Sequence, residues 1–243
     1  MLKRALLHVA GFIWRILWRV ALVFILLSVA VVLLFRYVPP PGSMVMLERK
    51  VQGWLANEPI TINHQWRDWD AMADAAKLAV IAAEDQRFPS HSGFDLIEIR
   101  QALSTAISGG RLRGASTISQ QTAKNVFLWS GRNWGRKALE TWFTLLIELI
   151  WGKQRILEVY LNVAEWDDGV FGLEAASQHY FGASASVVSE RQASLLAAIL
   201  PSPLTRSASA PSPQVEQRSQ WILQQMRNLG GPRYLQRLLP PVT

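Results

Sequence analysis

The sequence of 243 residues contains no cysteine and shows no internal repeat. The lack of cysteine excludes disulfide bonds and thiolate metal sites, and nothing in the composition resists export to an oxidising compartment. Only 18% of the residues are charged and 50% are apolar, which is enough for one domain together with a membrane anchor. The net charge of +7 is compatible with nucleic acid, anionic lipid or a phosphorylated substrate, so charge alone does not select a partner.

Charge is also missing from Val20–Phe35, an apolar run that lies between Arg19 and Arg36. A bilayer core needs about 20 apolar residues, and the mostly apolar segment 12–18 lies directly upstream. A cleaved signal peptide is the alternative, but its apolar region would be shorter and would end in an Ala-x-Ala-like site. We therefore expect residues 1–37 to be a cytoplasmic tail and a transmembrane signal anchor. A cytoplasmic N-terminus is predicted by the basic residues that precede the apolar run: Lys3, Arg4, Arg15 and Arg19.

Proline separates this anchor from the rest of the chain. The segment Val38-Pro39-Pro40-Pro41-Gly42 ends the helix, because proline supplies no donor and restricts the residue before it. We expect residues 38–69 to be a linker and membrane-proximal segment with a short strand at 61–66, and residues 70–243 to be one helical domain. The helices predicted in that domain include 71–83, 95–108, 133–151, 169–180 and 213–229, with further helices opening near Ser116 and Ser189.

Two adjacent acids, Glu84 and Asp85, stand at the end of the helix predicted over 71–83. Acids at a helix C-terminus face the negative end of the macrodipole, and two neighbouring carboxylates repel. Together with partial burial, this repulsion is expected to raise the pKa of one acid, as a proton-accepting catalyst requires. The alternative for a bare Glu-Asp pair is a solvated turn after a helix.

A second polar stretch begins at Ser116 and Thr117, which are candidate caps of the next helix. That helix carries Gln120, Gln121 and Lys124, with the lysine one turn beyond the two glutamines. Free N–H groups at a helix N-terminus beside a lysine make an anion site reasonable. An ordinary polar helix face is the alternative.

These stretches resemble the signatures of the peptidoglycan glycosyltransferases, which occur alone or in class A penicillin-binding proteins. The first signature, E-D-x-x-F-x-x-H-x-G-x-D, is filled by Glu84, Asp85, Phe88, His91, Gly93 and Asp95. The second, G-G-S-T-I-x-Q-Q-x-x-K-N, matches residues 114–125 except that Ala115 replaces its second glycine. Alanine adopts positive φ less freely than glycine, but we expect the replacement to be tolerated.

Three further signatures follow in the same order. R-K-x-x-E matches residues 136–140, and the Lys, Ile-Leu-Glu and Tyr-Leu-Asn of the fourth signature recur in residues 153–162. Residues 191–201 are similar to the fifth. The resemblance therefore spans residues 84–203. We expect Glu158, Tyr160 and Asn162 of the fourth signature to support the fold.

The residue types alone already favour one chemistry. Two separated acids, Glu84 and Glu140, are typical of glycoside chemistry. A hydrolase must protonate a neutral sugar leaving group, whereas a transferase that uses a sugar diphosphate needs cations for a leaving group that is already an anion. The cluster interleaved with the acids therefore favours a transferase: Lys124, Arg132, Arg136 and Lys137. The membrane anchor indicates that the diphosphate is a lipid.

The resemblance implies a mainly α, lysozyme-like domain behind one transmembrane helix, and it implies roles for single residues. Glu84 is the general base that takes the proton of the acceptor's 4-hydroxyl group. The second family acid, Glu140, orients the basic residues or a metal bound with the diphosphate. The expected substrate-binding residues are Asp85, Ser116, Gln120, Gln121, Lys124, Asn125, Arg132, Arg136 and Lys137.

Substrate, partners and location follow from the same resemblance. The expected reaction polymerises lipid II into glycan strands, inverts the anomeric centre and releases undecaprenyl diphosphate. The expected partners are lipid II, the growing strand, the membrane, and cell-division or elongation proteins, with no nucleic acid. The resemblance allows a divalent cation, Mg²⁺ or Mn²⁺, bound together with the diphosphate, and we expect no other cofactor. The implied location is the bacterial inner membrane, with the catalytic domain in the periplasm.

Two rival functions are compatible with parts of this pattern. A lytic enzyme that cleaves finished glycan shares the fold and a catalytic glutamate but has no need of the phosphate-binding cations. A membrane-anchored scaffold of the cell-wall machinery needs neither acid. We expect no peptide cross-linking, because no serine has lysine three residues later and Lys-Thr-Gly does not occur.

Overall fold

A computed structural model describes residues 2–109, 116–131 and 133–239. This part of the chain is mainly helical, which confirms the predicted fold class. The α-helices are α1 Leu2–Tyr37, α2 Met44–Leu55, α3 Asp74–Glu84, α4 Leu96–Ile107, α5 Ile118–Phe127, α6 Trp134–Ile150, α7 Lys153–Val163, α8 Leu173–Phe181, α9 Glu190–Ile199 and α10 Pro213–Asn228. The strands are β1 Asn63–His64, β2 Glu165–Asp167 and β3 Val170–Phe171, and short 3₁₀ segments lie at Trp69–Ala71, Phe88–Ser90, Ala185–Val187 and Gly231–Leu238.

The chain divides into two compact units, Met1–Val38 and Pro39–Thr243. The first unit consists of α1. Among the described residues, its segment Gly11–Tyr37 is the one helix long and apolar enough to cross a membrane, with 27 residues and a mean hydropathy of 2.7. At about 1.5 Å per residue such a helix exceeds the roughly 30 Å of a bilayer core. Length and composition are therefore consistent with the predicted single-pass anchor.

Of the segment expected to be a linker, 38–69, residues 39–69 belong to the second unit. Asn162 on α7 accepts a hydrogen bond from the Arg67 N–H at 2.8 Å and donates its amide to the Arg67 carbonyl at 2.8 Å. Glu158, one turn earlier, accepts from the Trp69 N–H at 2.7 Å. These two signature residues support the fold, as expected, by binding the backbone that leads into α3.

A small sheet joins this segment to the region after α7. Its order is β1-β3-β2, with β1 parallel and β2 antiparallel to β3. The short strand predicted at 61–66 is thus confirmed, but the prediction that a helix begins at Gly169 is wrong. Gly169 and Gly172 have φ of 70° and 83°, outside the right-handed helical region, and β3 lies between them. A Cβ atom at Gly172 would lie 2.8 Å from the Asn162 carbonyl oxygen, so a side chain does not fit there.

Helix α3 is the buried centre of the second unit, and its composition explains why. Residues 76–82 are all buried, and alanines on several sides let α9 and α10 pack closely against the helix. Helix α5 packs in turn against α6 and α7. The buried α3 therefore carries Glu84 at its last residue, and Asp85 at its C-cap, to the place where α5 begins.

Candidate active site

Glu84 is held at the end of α3 by residues from two other helices. Its side chain is 14% exposed. The Gln121 amide on α5 donates to Glu84 Oε2 at 3.0 Å, and the Arg218 guanidinium on α10 lies 3.8 Å from Glu84 Oε1. Burial raises the pKa of Glu84, whereas the Gln121 hydrogen bond and the Arg218 charge oppose the rise. The result is a carboxylate that is a stronger base than an exposed glutamate.

Burial and the charge of Asp85 both raise the pKa of Glu84, as the two adjacent acids led us to expect. Burial is the largest cause, and the charge of Asp85 is the smallest of the named ones. The physical reason is that Asp85 has partners of its own. Its two oxygens lie 2.9 and 3.1 Å from His91 Nε2, and Oδ2 accepts from the Ile118 N–H at 3.0 Å.

Asp85 also occupies the N-terminus of α5, where the sequence indicated an anion site. Ile118 is the first residue of α5, and its N–H points at the Asp85 carboxylate. Thr117 caps the same end, with Gln120 completing the capping box. The anion expected at this N-terminus is therefore an internal side chain. Gln120 is buried and has this capping role instead of lining a groove.

Phe88, another residue of the first signature, contacts a network of polar and charged side chains that links three helices. Phe88 is fully buried, and the Lys153 ammonium lies 4.5 Å from the centroid of its ring. Lys153 also donates to Glu148 at 2.6 Å, and Glu148 accepts from the Ser119 hydroxyl on α5. Burial lowers the pKa of Lys153, although the adjacent Glu148 carboxylate opposes this. This network ties α5 to α6 and α7.

Gly93 and Asp95 complete the signature through backbone geometry. Gly93 has φ of 87°, its carbonyl accepts from the Thr117 hydroxyl at 2.6 Å, and an added Cβ would lie 2.7 Å from Thr144 Cγ2. Asp95 accepts from two N–H groups in the first turn of α4, those of Ile97 and Glu98. Both residues thus shape the chain between α3 and α5.

Two residues near Glu84 were missed or given a lesser role by the sequence analysis. Tyr160 donates its hydroxyl to Gln121 Oε1 at 3.2 Å, which leaves the Gln121 NH₂ group facing Glu84. Burial and the nearby Glu84 charge raise the pKa of Tyr160 well above its usual value, so the phenol remains a donor. Tyr160 lies in the fourth signature, but Arg218 lies in none, and no sequence pattern marked it.

The second acid, Glu140, is buried and paired with the basic residues of its own helix. Its two oxygens accept from Arg136 Nη1 at 2.6 Å and from Lys137 Nζ. This geometry favours the alternative in which Glu140 orients basic side chains. Lys124 and Asn125 lie half-buried on α5. Arg132 and Ala115 lie outside the described residues.

Two adjoining cavities open beside Glu84 and share Ala83, Glu84, Ser116 and Trp221. The smaller, of about 330 Å³, is also lined by the acids Asp85, Asp95 and Glu98 and by Arg87. The larger, of about 800 Å³, is lined on its other side by α10. Ser116, a predicted substrate-binding residue, borders both cavities. Among the described residues, the lining of these cavities does not include Lys124, Arg136 or Lys137.

Among the described residues, the acidic groups near Glu84 do not suit a divalent cation, because they already have partners. Asp85, His91 and Asp95 present ligand atoms within 4.8 Å of one another. However, Asp85 accepts from His91 and Ile118, and Asp95 caps α4 and lies 3.4 Å from Arg87. Glu140 is likewise paired with two cations. A metal at either place would displace these contacts.

A buried glutamate with a raised pKa that lines two cavities indicates an enzyme that uses this carboxylate as an acid or base. Comparison with known proteins narrows the class. The model of the transglycosylase family matches residues 53–227, and the chain belongs to this family, whose domain has a helical, lysozyme-like fold.

Curated relatives match along nearly the whole chain. A protein of Chromohalobacter salexigens named biosynthetic peptidoglycan transglycosylase is 65% identical over 215 residues, 88% of this chain and 92% of the relative. Proteins of the same name from Stutzerimonas stutzeri and Pseudomonas aeruginosa are 56% and 58% identical. They cover 99% and 93% of this chain and 96% and 97% of their own lengths.

Replacing Asp85 with asparagine should destabilise the fold more than replacing Glu84 with glutamine. Asparagine removes the negative charge that faces the α5 N-terminus and puts an NH₂ group in place of one of the two oxygens beside His91, which costs about 1–3 kcal/mol. Glu84→Gln removes a charge that burial disfavours. Because the folded-state pKa of Glu84 is raised, its ionised form costs stability above that pKa, and the cost vanishes in acid, where the side chain is protonated in both states.

Thermal unfolding of the detergent-solubilised chain at neutral and acidic pH checks this pair. At neutral pH we expect Glu84→Gln to melt at or above the parent temperature and Asp85→Asn to melt below it. The opposite order would show that Glu84, and not Asp85, is the structural acid.

Proposed function

We propose that this chain is a peptidoglycan glycosyltransferase that joins lipid II units into glycan strands. The observation that carries the proposal is Glu84, a carboxylate with a raised pKa that lies between two cavities and is held by Gln121. Membership of the transglycosylase family and the printed names of the relatives support the substrate class.

Glu84 would act as the general base. The 4-hydroxyl oxygen of the acceptor N-acetylglucosamine attacks the anomeric carbon of the donor N-acetylmuramic acid. The bond from that carbon to the diphosphate oxygen breaks, undecaprenyl diphosphate leaves as the anion, and the hydroxyl proton passes to Glu84. Attack opposite the leaving group inverts the anomeric centre. A pKa raised by burial strengthens the base, while Gln121 and Arg218 help to keep it ionised.

The hydrogen bonds around Glu84 also select the reacting atom. Gln121 engages Oε2, and Tyr160 holds the Gln121 amide in the orientation that donates to Glu84. Oε1 has Arg218 at 3.8 Å, beyond direct hydrogen-bond distance. We assign proton acceptance to Oε1, with Gln121 and Tyr160 as positioning residues.

The diphosphate would be held by Lys124, Arg132, Arg136 and Lys137. Support comes from Glu140, which binds Arg136 and Lys137 in one cluster on α6 and so orders two of these cations before substrate arrives. Lys124 is placed on α5, the helix that also carries Gln121. A divalent cation with the diphosphate stays a prediction, as do protein partners from the division or elongation machinery.

The same proposal places the domain outside the cytoplasmic membrane, where lipid II is displayed. The basic residues before Val20 and the apolar length of α1 support an N-terminus in the cytoplasm and a single-pass anchor. A reporter enzyme that works only outside the cytoplasm, fused after Thr243, should be active. Activity solely from a cytoplasmic reporter at the same position would reverse this topology.

Glu84→Gln should abolish polymerisation and leave lipid II binding largely intact. Glutamine keeps the shape of the side chain but cannot accept the proton, and loss of a general base alone costs about 10²–10⁴-fold in rate. The measurement is glycan formation from purified lipid II by the folded, detergent-solubilised variant. Turnover within a few-fold of the parent would rule out this base.

Lys124→Met tests the proposed contact between Lys124 and the diphosphate, because methionine removes the charge but keeps a long side chain. Losing one charge-assisted contact should weaken use of subsaturating lipid II by about one to two decades. Finished glycan serves as the control substrate for both variants and the parent. Cleavage of that glycan, with no polymer from lipid II, would instead identify a lytic enzyme, and the absence of both reactions would favour a scaffold.

The pH dependence of polymerisation should report the Arg218 charge. Activity needs ionised Glu84, so the rate should fall as the pH drops through the raised pKa of this residue. Arg218→Gln removes a charge that lowers this pKa, so the acid limb should move to higher pH. Arg218→Lys retains the charge and should leave the limb near its parental position. An identical acid limb in Arg218→Gln would contradict the assignment of the titrating group.

A further inference from the structure

The 3₁₀ segment at the end of the described chain, Gly231–Leu238, folds back onto α3. Gly230 and Gly231 have φ of 94° and 69°, a conformation that glycine adopts readily, and they turn the chain after α10. The segment then packs against α3 and α10, and its largest apolar residues are buried: Tyr234, Leu235 and Leu238. This C-terminal segment, as we call residues 231–238, lies beyond residue 227, where the match to the family model ends.

Tyr234 joins the C-terminal segment to the turn that follows Glu84. Its hydroxyl donates to the Gln86 carbonyl oxygen at 2.6 Å, and the residue is 6% exposed. Burial raises the pKa of Tyr234 against the opposing charge of Arg237, and the nearby charge of Asp85 adds to the rise. The hydroxyl therefore keeps its proton at neutral pH and remains a donor to Gln86.

The bonded carbonyl lies where the backbone leaves α3. Asp85, the C-cap of α3, has a non-helical conformation with φ of −161° and ψ of 75°, and its carbonyl accepts from the Phe88 N–H at 3.0 Å. On the other side of Glu84, the Arg218 guanidinium donates to the Ala83 carbonyl at 3.3 Å. The backbone before and after Glu84 is thus held by side chains 135 and 148 positions further along the chain.

The position of this turn affects the reacting group directly. The Glu84 carboxylate has the Gln121 amide at Oε2 and a more distant arginine beside Oε1, so its direction depends strongly on its own backbone. Residues 84–87 also line the smaller cavity, and a shift of the turn moves the cavity wall together with the base. Misplacing a reacting group by about 1 Å can lower a rate by about 10²-fold.

We propose that Tyr234 is a positioning residue of the active site, which fixes the turn that carries Glu84 from a segment outside all five signatures. The inference rests on the proposed function, because it concerns the base of that reaction. Tyr234 acts through the Gln86 carbonyl and does not line either cavity beside Glu84. Its loss should therefore lower kcat and leave KM nearly unchanged.

Tyr234→Phe removes the hydroxyl and keeps the ring. For the full chain in detergent, we expect kcat for lipid II polymerisation to fall about tenfold, with KM within about threefold of the parent. Tyr180→Phe is the matched control, because buried Tyr180 also donates to a backbone carbonyl, that of Trp166 at 3.1 Å, and does not line the cavities. It should keep the parental kcat even if its melting temperature falls as far as that of Tyr234→Phe.

Two further measurements separate positioning from stability. Replacement of Tyr234 by p-aminophenylalanine restores a donor in place of the hydroxyl and should return kcat to within about threefold of the parent. Hydrogen exchange of the peptide that covers residues 85–90 needs no substrate. The exchange should be faster in Tyr234→Phe and parental in Tyr180→Phe.

Any of four results would overturn the positioning role: parental kcat in folded Tyr234→Phe, an equal loss of kcat in Tyr180→Phe, no rescue by the amino group, or unchanged exchange at residues 85–90. If Tyr234→Phe does not fold, Arg237→Gln decides. The Arg237 guanidinium lies 5.0 Å from the centroid of the Tyr234 ring, so its loss should lower kcat about two- to threefold. Arg233→Gln, at an exposed position of the same segment, is its control, and parental kcat in both would reject the proposal.

The two proposals fail separately. A parent that makes no polymer from lipid II refutes the proposed function, and hydrogen exchange still decides whether Tyr234 holds the turn. A parent that polymerises lipid II while Tyr234→Phe keeps its kcat refutes only the positioning role.

Discussion

The buried carboxylate of Asp85 is the interaction on which the site depends. Removing a charge from water is costly unless donors replace the lost hydration, and here His91 and the first N–H of α5 supply them. This contact joins the end of α3 to the start of α5. Because Glu84 ends α3 and Gln121 lies one turn into α5, the same contact sets the distance between the base and the amide that holds it.

Two neighbouring acids thus have opposite environments. Asp85 is satisfied by the protein, whereas Glu84 has one hydrogen-bond donor at Oε2 and a more distant arginine beside Oε1. Burial without full compensation raises the pKa of Glu84 and leaves it reactive. The incompletely compensated burial therefore falls on the reacting residue, whereas Asp85 and the rest of the signature supply structural contacts.

Several residues of the signatures have structural roles. Phe88, His91, Gly93 and Asp95 shape the path from α3 to α5, while Glu158 and Asn162 hold the segment that leads into α3. In contrast, Arg218 and Trp221 border the cavities from α10, which no signature marks. Signature residues therefore identify the family, but the surroundings of the base also include residues that the signatures do not contain.

The sequence by itself determined the helical class, the apolar anchor and Glu84 as the candidate base, because apolar spacing, uninterrupted hydrophobicity and motif order are local properties. The short strand within 61–66 and the helix that opens near Ser189 were likewise local and were predicted. Only the tertiary structure decided that burial is the largest cause of the raised pKa of Glu84, that Asp85 fills the α5 N-terminus, and that Gly172 excludes a side chain. Each of these depends on atoms far apart in the chain, such as Asp85 with Ile118, Gly172 with Asn162 and Glu84 with Arg218. Desolvation and close approach are set by packing among α3, α5 and α10, which no local pattern encodes.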